Sequence, residues 1–254
     1  MLNIITHLPS SSLEKCELTF LQSNPIDIKK AQKEHKSYCS MLQECGAKVI
    51  TLDENMDLAD SVFVEDPIIV FDEVAVLCSM GVESRRKERA TLEKVFANYR
   101  EIKSIELPAK IEGGDVLKIG KQIFVGKSAR TNSQGIRALR EIIAPYGYEV
   151  TLVKVSGCLH LKTGCTALDD ATLLINPEWV DSSVFQGFKQ IIVPKEEPFG
   201  ANILKINESI CMNEAFPKTI EIVKSLGYTV KITDITEFVK AEAGLTCMSV
   251  PFNI

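Results

Sequence analysis

The sequence repeats one pattern about every 50 residues, and this repeat limits the folds that the chain can adopt. Each copy holds two apolar, strand-like segments joined by a short polar turn, as is typical of β-hairpins. Four copies are FVEDPIIVFDEVAVLCSMG, IEGGDVLKIGKQIFVGKSART, LHLKTGCTALDDATLLINPEW and GANILKINESICMNEAFP. A fifth would be GLTCMSVPF, closed by the amino-terminal LNIITHL. Five units in 254 residues give about 51 residues each.

Helical segments and lone strands separate these hairpins. Helices are predicted over residues 27–45, 84–99, 132–146 and 217–226, and lone strands at AKVITL, IKSIEL, YEVTLVKV, KQIIVP and YTVKIT. The unit is therefore β-β-α-β, repeated about five times. No Pro/Ser-rich linker interrupts the repeats, so we expect one α/β domain over residues 1–254. An ordinary open α/β sheet is the alternative, although no Gly-rich phosphate loop supports a Rossmann fold.

Composition excludes several classes of function. The net charge of −5 argues against a nucleic-acid or anionic-membrane partner, which would call for a basic surface. The amino terminus has no cationic segment followed by an apolar core, and no apolar run reaches transmembrane length, so a cytoplasmic location is expected. The eight cysteines form no C-x-x-C pair and the chain has only three histidines. We therefore expect reduced thiols, no metal site and no cofactor.

Polar residues interrupt the apolar pattern at matching places in the repeat. Glu65 and Glu112 are 47 residues apart, Glu112 and His160 are 48 apart, and Cys247 follows His160 by 87, close to two periods. Equivalent strand ends of a repeat array converge on its axis. The spacing therefore predicts a thiol, an imidazole and a carboxylate around one central cavity, as covalent thiol catalysis requires.

Each of these three residues also has a structural interpretation. Cys247 is the candidate nucleophile, in a β-type run entered from Gly244, but a free cysteine is more commonly a small buried hydrophobe. His160 is the candidate acid/base in the apolar strand start SGCLHLKTG, where a core histidine is the alternative. Glu112, in KIEGGDV, would orient the imidazole or serve only as a turn carboxylate.

Two further groups of charged residues suit an amino-acid ligand with a cationic tail. Asp60, Glu65 and Asp66 lie in ADSVFVEDP, where Asp60 is expected to open a strand. They form either a carboxylate cage for a guanidinium or ordinary turns. Arg85 and Arg130 would bind a carboxylate, although Arg85 in SRRKERA also fits a solvated basic helix start.

Six ordered motifs, DSVFVEDP, ESRRKE, EGGDV, SARTN, LHLKTG and GLTCMS, resemble those of the dimethylarginine dimethylaminohydrolase family. The resemblance covers almost the whole chain. It implies membership of the guanidine-modifying (amidinotransferase) superfamily and a pentein fold, a five-bladed pseudo-symmetric ββαβ propeller. The implied reaction converts Nω-methylated arginine, a small-molecule substrate, to citrulline and methylamine or dimethylamine through a covalent cysteine thiouronium. A homodimer is left open.

The resemblance also assigns roles to individual residues. It implies three catalytic residues: the nucleophile Cys247, the general acid/base His160 and its acidic partner Glu112. It implies seven substrate-binding residues: Asp60 and Asp66 on the guanidinium with Glu65 beside them, Arg85 and Arg130 on the carboxylate, Leu18 in a mobile lid, and Ala241, whose backbone would contact the α-amino group.

Three positions depart from the family pattern. His7 stands in HLP where the family usually has Arg, Glu17 stands in ELT where Gly is common, and Ala243 precedes Gly244 where Gly-Gly is frequent. The first two concern the lid, so they bear on substrate choice and lid motion more than on reaction type. The alternatives are an arginine deiminase or another guanidino-substrate hydrolase, a broad-spectrum thiol hydrolase, and a non-catalytic propeller that binds a partner.

Overall fold

A computed structural model describes residues 1–254 as fifteen β-strands and six α-helices. The strands are β1 Leu2–His7, β2 Lys48–Leu52, β3 Ile68–Val70, β4 Val74–Leu77, β5 Glu101–Ser104, β6 Val116–Ile119, β7 Gln122–Lys127, β8 Glu149–Lys154, β9 Cys165–Ala167, β10 Thr172–Ile175, β11 Lys189–Ile192, β12 Leu204–Ile206, β13 Ser209–Asn213, β14 Thr229–Thr233 and β15 Val250–Asn253.

The strands form five separate three-stranded sheets with one shared pattern. In each sheet the middle strand pairs antiparallel with the first strand and parallel with the third, in the orders β15-β1-β2, β3-β4-β5, β6-β7-β8, β9-β10-β11 and β12-β13-β14. The two ends of the chain meet in the first sheet, where β1 pairs with β15. The α/β class and the five repeated strand units are therefore confirmed.

The helices supply most of the crossovers that parallel strands need. They are α1 Ile28–Glu44, α2 Arg89–Phe96, α3 Ser133–Ile143, α4 Leu161–Gly164, α5 Pro217–Ser225 and α6 Thr236–Val239. Asp27 and Asn132 cap α1 and α3, since their side chains accept backbone N–H bonds. All four predicted helices are present, but the second is shorter because a 3₁₀ turn at Glu83–Arg85 occupies its first part. None of the helices combines the length and the apolar character needed to cross a bilayer.

The largest core cluster fixes the position of the carboxyl-terminal loop. Tyr38 of α1 is fully buried, and its hydroxyl donates to the carbonyl of Leu245 at 2.8 Å and lies 2.9 Å from Ser249 Oγ. Leu245 and Met248 pack in the same cluster. A buried hydroxyl with both bonds satisfied holds a loop more firmly than apolar contact alone. Helix α1 therefore anchors both sides of Cys247.

Three local predictions were wrong. Cys247 lies in a 3₁₀ turn, Thr246–Met248, ahead of β15 rather than within a strand. His160 is the amino-terminal cap of the short helix α4 rather than a strand start. Asp60 opens no strand, because the chain between β2 and β3 consists of turns. The apolar residues near these positions are buried by packing against core clusters without ladder hydrogen bonds, and an apolar pattern does not distinguish the two.

Candidate active site

Four chemically active side chains sit at the same place in four of the sheets. Asp66 precedes β3, Glu112 precedes β6, His160 precedes β9 and Cys247 precedes β15. Asp66, His160 and Cys247 line one small cavity of about 20 Å³. Glu112 does not line it but lies within hydrogen-bond distance of His160. The repeat thus brings together the thiol and the imidazole that the spacing predicts, with Glu112 bonded to the imidazole, but the carboxylate of the first repeat is Asp66 rather than Glu65.

His160 is held between carboxylates. Its Nε2 lies 2.9 Å from Glu112 Oε2, and its Nδ1 lies 3.8 Å from Asp66 Oδ1. Burial lowers the pKa of His160, but the charge of Asp66 and then the hydrogen bond that the ring donates to Glu112 outweigh this effect and raise the pKa to about 9. The ring is therefore an imidazolium at neutral pH, with a proton to donate.

Glycine at position 114 makes room for this histidine. A Cβ on Gly114 would lie 2.5 Å from His160 Nδ1 and 2.8 Å from Asp66 Oδ1. Real Cβ atoms do not approach other atoms so closely, so any larger residue would displace the imidazole or the carboxylate. The EGGDV motif is thus explained by close approach of the backbone to the acid/base pair.

The thiol of Cys247 is enclosed and its neighbours are negative. Enclosure by protein, with added repulsion from Glu65 and Asp66, raises its pKa to about 12. The N–H of Gly244 points at Sγ from 3.4 Å and opposes this shift. The resting residue is therefore a thiol, and a cation bound beside it would favour the thiolate.

Arg85 lies within a buried acidic network. Its guanidinium donates to Asp66 at 2.9 Å, to both oxygens of Glu88 at 3.1 and 2.9 Å, and to the carbonyl of Phe63 at 3.3 Å. Asp60 lies 4.0 Å away. Three carboxyl groups thus surround one arginine, which suits a second cation. The solvated interpretation of Arg85 was wrong, since the residue is only 4% exposed.

Glu88 belongs to this network although the sequence analysis did not select it. Burial raises its pKa to about 7, against the pull of Arg85. The signal available in the sequence was its spacing, since residues three apart on a helical turn pair as ions. That spacing is too common on solvated helices to identify a buried site.

Arg130 keeps a donor free. Its Nη2 donates to Thr19 Oγ1 at 3.0 Å, whereas the buried Nη1 has no hydrogen-bond partner and lies 3.5 Å from Glu112 Oε1, which also has none. Asp115 positions the loops on both sides. It accepts from Ser128 Oγ at 2.6 Å beside Arg130 and from the N–H of Leu161 at 2.9 Å beside His160.

Residues 17–21, here called the cover segment, lie beside the cavity, and Glu17 lines it. The N–H of Glu17 donates to both oxygens of Asp60 at 3.3 Å, and Ser84 donates to Glu17 Oε1 at 2.5 Å. Glu242 accepts the N–H groups of three successive residues of the segment, Thr19, Phe20 and Leu21. The remaining 20 Å³ holds about one water molecule, so a ligand the size of arginine requires the segment to move.

Sequence reasoning missed Glu242. Its backbone has φ +60°, a left-handed conformation that is uncommon for residues other than glycine. Strained backbone of this kind concentrates at functional sites. Nothing in the local sequence indicates either the conformation or the contact, because its partners lie more than 200 residues away.

The other predicted residues lie around this centre. Ala241 lines the cavity, and half-buried Leu18 lies in the cover segment but does not line the cavity. The carboxylate of Glu65 points elsewhere, contacting Lys162 Nζ at 2.5 Å and accepting from Thr246 Oγ1 at 2.9 Å. Two departures from the family pattern were expected to concern the lid. Glu17 does lie in the cover segment and contacts Asp60 and Ser84, whereas His7 lies outside that segment and forms hydrogen bonds with Leu8 and Asn55.

Asp66, Glu112 and His160 are the residues best arranged to hold a metal ion. One ligand atom from each lies within 4.8 Å of the others. Arg85 and Arg130, however, already place positive charge 2.9 and 3.5 Å from the two carboxylates. The cluster is therefore charge-compensated by arginine and histidine.

Comparison with known proteins agrees with this geometry. A model of eukaryotic N,N dimethylarginine dimethylhydrolases matches residues 11–184. N(G),N(G)-dimethylarginine dimethylaminohydrolases from Pseudomonas aeruginosa and Streptomyces coelicolor are 35% and 37% identical, covering 98% and 95% of this chain and 99% and 93% of theirs.

Solved structures extend the likeness to the fold. A Cys-to-Ser mutant of the P. aeruginosa enzyme, complexed with citrulline, superposes with TM-score 0.91 at 34% identity, covering 98% of both chains. The amino-terminal domain of ArgZ, a cyanobacterial arginine dihydrolase, covers 98% of this chain and 97% of its own with TM-score 0.89; its 22% identity indicates a shared fold alone. On the full-length identity to the two bacterial enzymes, this chain belongs to the dimethylarginine dimethylaminohydrolase family.

Proposed function

We propose that this chain hydrolyses Nω-methylated arginine to citrulline and methylamine or dimethylamine. The observation that carries the proposal is the placement of Cys247 in one cavity with the His160–Glu112 pair and the carboxylates of Asp60 and Asp66. The relative solved with citrulline, and another solved as an adduct with S-methyl-L-thiocitrulline, support the same chemistry.

Substrate binding follows from the charges. The guanidinium would lie against Asp66 and Asp60, because more carboxylates than cationic side chains line the cavity. Arg130 is the main candidate for the substrate carboxylate, because its Nη1 is free whereas most donors of Arg85 are already used. Arg85 would then add positive charge near the substrate carboxylate and hold Asp66 in its orientation.

The remaining binding roles stay predictions. Leu18 would lie in the lid over the substrate, and the backbone of Ala241 would contact the α-amino group. Glu65 would not contact the guanidinium, because its carboxylate is engaged by Lys162 and Thr246. It would influence the reaction only through its negative charge near Cys247.

The first half of the reaction begins when the bound guanidinium offsets the charge of Asp66 and lowers the pKa of Cys247. The thiol loses its proton to solvent, and the thiolate attacks the guanidinium carbon. His160, an imidazolium at neutral pH, donates its proton to the departing nitrogen, so the alkylamine leaves as a neutral molecule. A cationic thiouronium on Cys247 remains.

The second half restores both residues. Neutral His160 takes a proton from water, and the hydroxide attacks the thiouronium carbon. The adduct collapses to the neutral urea of citrulline, the C–S bond breaks, and the released proton returns to the thiolate of Cys247. Glu112 holds the imidazole in register throughout, because its bond to Nε2 persists in either protonation state of the ring.

The five sheets are proposed to be the blades of a single propeller domain over residues 1–254. Support comes from the shared three-stranded pattern and from catalytic candidates that precede the first strands of four sheets yet meet in one cavity. A homodimer and a cytoplasmic location remain predictions.

The test is citrulline release from asymmetric dimethylarginine, with free arginine in a parallel reaction. We expect citrulline and dimethylamine from the methylated substrate, none from Cys247→Ser, and wild-type rates from Cys39→Ser, which removes another half-buried thiol. Citrulline and ammonia from arginine alone would replace the proposal with deimination. Absence of citrulline with both substrates would refute the substrate assignment.

A further inference from the structure

A second cavity, of about 250 Å³, lies beneath the first strands of the sheets. All five of these strands, β3, β6, β9, β12 and β15, contribute to its wall. It shares no lining residue with the catalytic cavity. We call it the lysine cavity, after Lys118, Lys162 and Lys205, which line it. Its volume is near the lower end for small-molecule sites, roughly 300–1,000 Å³.

Two of these lysines occupy the same position in different hairpins. Lys118 is the next-to-last residue of β6 and Lys205 the next-to-last residue of β12, and each is exposed between buried neighbours. The matching position in β3 is Ile69, which is buried. Lysine in the first strand of a hairpin is therefore not required by the fold, and here it places charge at the cavity.

Neither of these two lysines has a direct ionic partner. Lys162 is paired with Glu65, but neither Lys118 nor Lys205 forms a salt bridge, and the Lys118 ammonium donates only to the carbonyl of Val70. On the acidic side, Asp169 already accepts from the hydroxyl of Tyr228 and the N–H of Ala171.

Asp170 is the one remaining carboxylate of the lining, and it is exposed at the turn between β9 and β10. Three lysines and three carboxylates thus line the cavity, but Lys118 and Lys205 form no salt bridge, and the rest of the wall is largely apolar, including Ile68, Leu204 and Val250. An apolar pocket with a few convergent charged groups is the usual form of a small-molecule site.

We propose that the lysine cavity binds a small organic anion, with its carboxylate or phosphate against Lys118 and Lys205 and its apolar body against the wall. Such a ligand supplies the direct ionic partner that Lys118 and Lys205 lack and removes apolar surface from water. Lys118 is exposed as a whole residue, but loss of water around its ammonium, with the nearby charge of Lys162, lowers its pKa to about 8, so an anion would also relieve an unfavourable environment.

Titration calorimetry with three probes tests the proposal: benzoate, inorganic phosphate and benzylamine. We expect saturable binding of benzoate, weaker binding of phosphate because it lacks an apolar body, and none of benzylamine. Lys118→Met and Lys205→Met should each weaken benzoate at least tenfold, since a hydrogen bond to a charged group contributes about 1.5–3 kcal/mol. Lys127→Met, an exposed lysine of β7 outside the lining, should bind as the wild type does.

The catalytic cavity is the competing location for an anion, because Arg130 has a free donor there. Benzoate binding that survives Arg130→Ala but fails in Lys118→Met supports the proposal, whether or not the protein hydrolyses methylarginine. Binding lost in Arg130→Ala and kept in Lys118→Met overturns it. Absence of saturable benzoate binding, or tighter binding of benzylamine, also overturns it.

Trace acetylation gives a readout on the unsubstituted protein. A lysine of pKa about 8 carries roughly 200–300 times more neutral amine near pH 7 than an ordinary lysine, so Lys118 should be among the fastest sites modified by acetic anhydride. Saturating benzoate should slow acetylation of Lys118 at least fivefold without changing that of Lys127. Equal rates at Lys118 with and without benzoate would refute binding in this cavity.

Discussion

The charge of Glu112 should account for much of the proton affinity of His160. In Glu112→Gln the amide oxygen still accepts from Nε2 across the 2.9 Å contact, so the ring keeps its orientation while the negative charge is lost. A hydrogen bond to a charged partner is worth about 1.5–3 kcal/mol and a neutral one about 0.5–1.5 kcal/mol, so the variant loses about 1–1.5 kcal/mol, or about one pH unit. We therefore expect the pKa of His160 to fall from about 9 to about 8, with Asp66 supplying what remains.

Proton NMR measures this directly because the chain has only three histidines. Burial lowers the pKa of His35 to about 4 and also lowers that of His7, so the resonance that titrates near 9 belongs to His160. Glu106→Gln, the same change at an exposed carboxylate, serves as the control. A wild-type His160 titrating at or below 6.5, or one that does not respond to Glu112→Gln, would refute the electrostatic account.

The same pKa has a consequence for stability. The folded-state pKa of His160, about 9, lies above its ordinary value of 6.5, so protonation favours the folded state. The contribution is about 3 kcal/mol, fully present below pH 6.5 and lost as pH rises through 9. Urea unfolding at pH 6 and pH 9.5 should show this loss in the wild type and a smaller one in Glu112→Gln.

Three further variants test the site. Glu242→Gln should release the cover segment, so that proteolytic cleavage within residues 17–21 becomes faster and KM rises while the chemical step stays intact. Unchanged cleavage would show that Glu242 does not hold the segment in place. Gly114→Ala should reduce kcat at least 100-fold, because the new Cβ would lie 2.5 Å from His160 Nδ1, and a normal kcat in a folded protein would contradict the geometry. Arg130→Ala should raise KM for dimethylarginine at least tenfold with a smaller change in kcat, since it holds a part of the substrate that does not react; an effect confined to kcat would argue against that role.

Local sequence determined the architecture because the same pattern of paired apolar segments, helix and lone strand repeats about five times along the chain. The polar turns between paired apolar segments indicate the hairpins, and the helices predicted over residues 27–45 and 132–146 are present, with Asp27 and Asn132 as their caps. The repeat period also placed Glu112, His160 and Cys247 at one centre, since equivalent positions in repeated units occupy equivalent places in space.

Only tertiary structure decided how the site is closed and charged. The contact between Glu242 and the cover segment joins residues more than 220 apart, and Arg85 is buried against Asp60 and Asp66 as well as its near neighbour Glu88. The orientation of Glu65 toward Lys162 likewise depends on the packing of distant loops. Sequence periodicity fixes which residues share an element and a face, whereas desolvation and ion pairing depend on what other elements bring within a few ångströms. For this reason the pKa values of His160 and Cys247 could not be obtained from their neighbours in the chain.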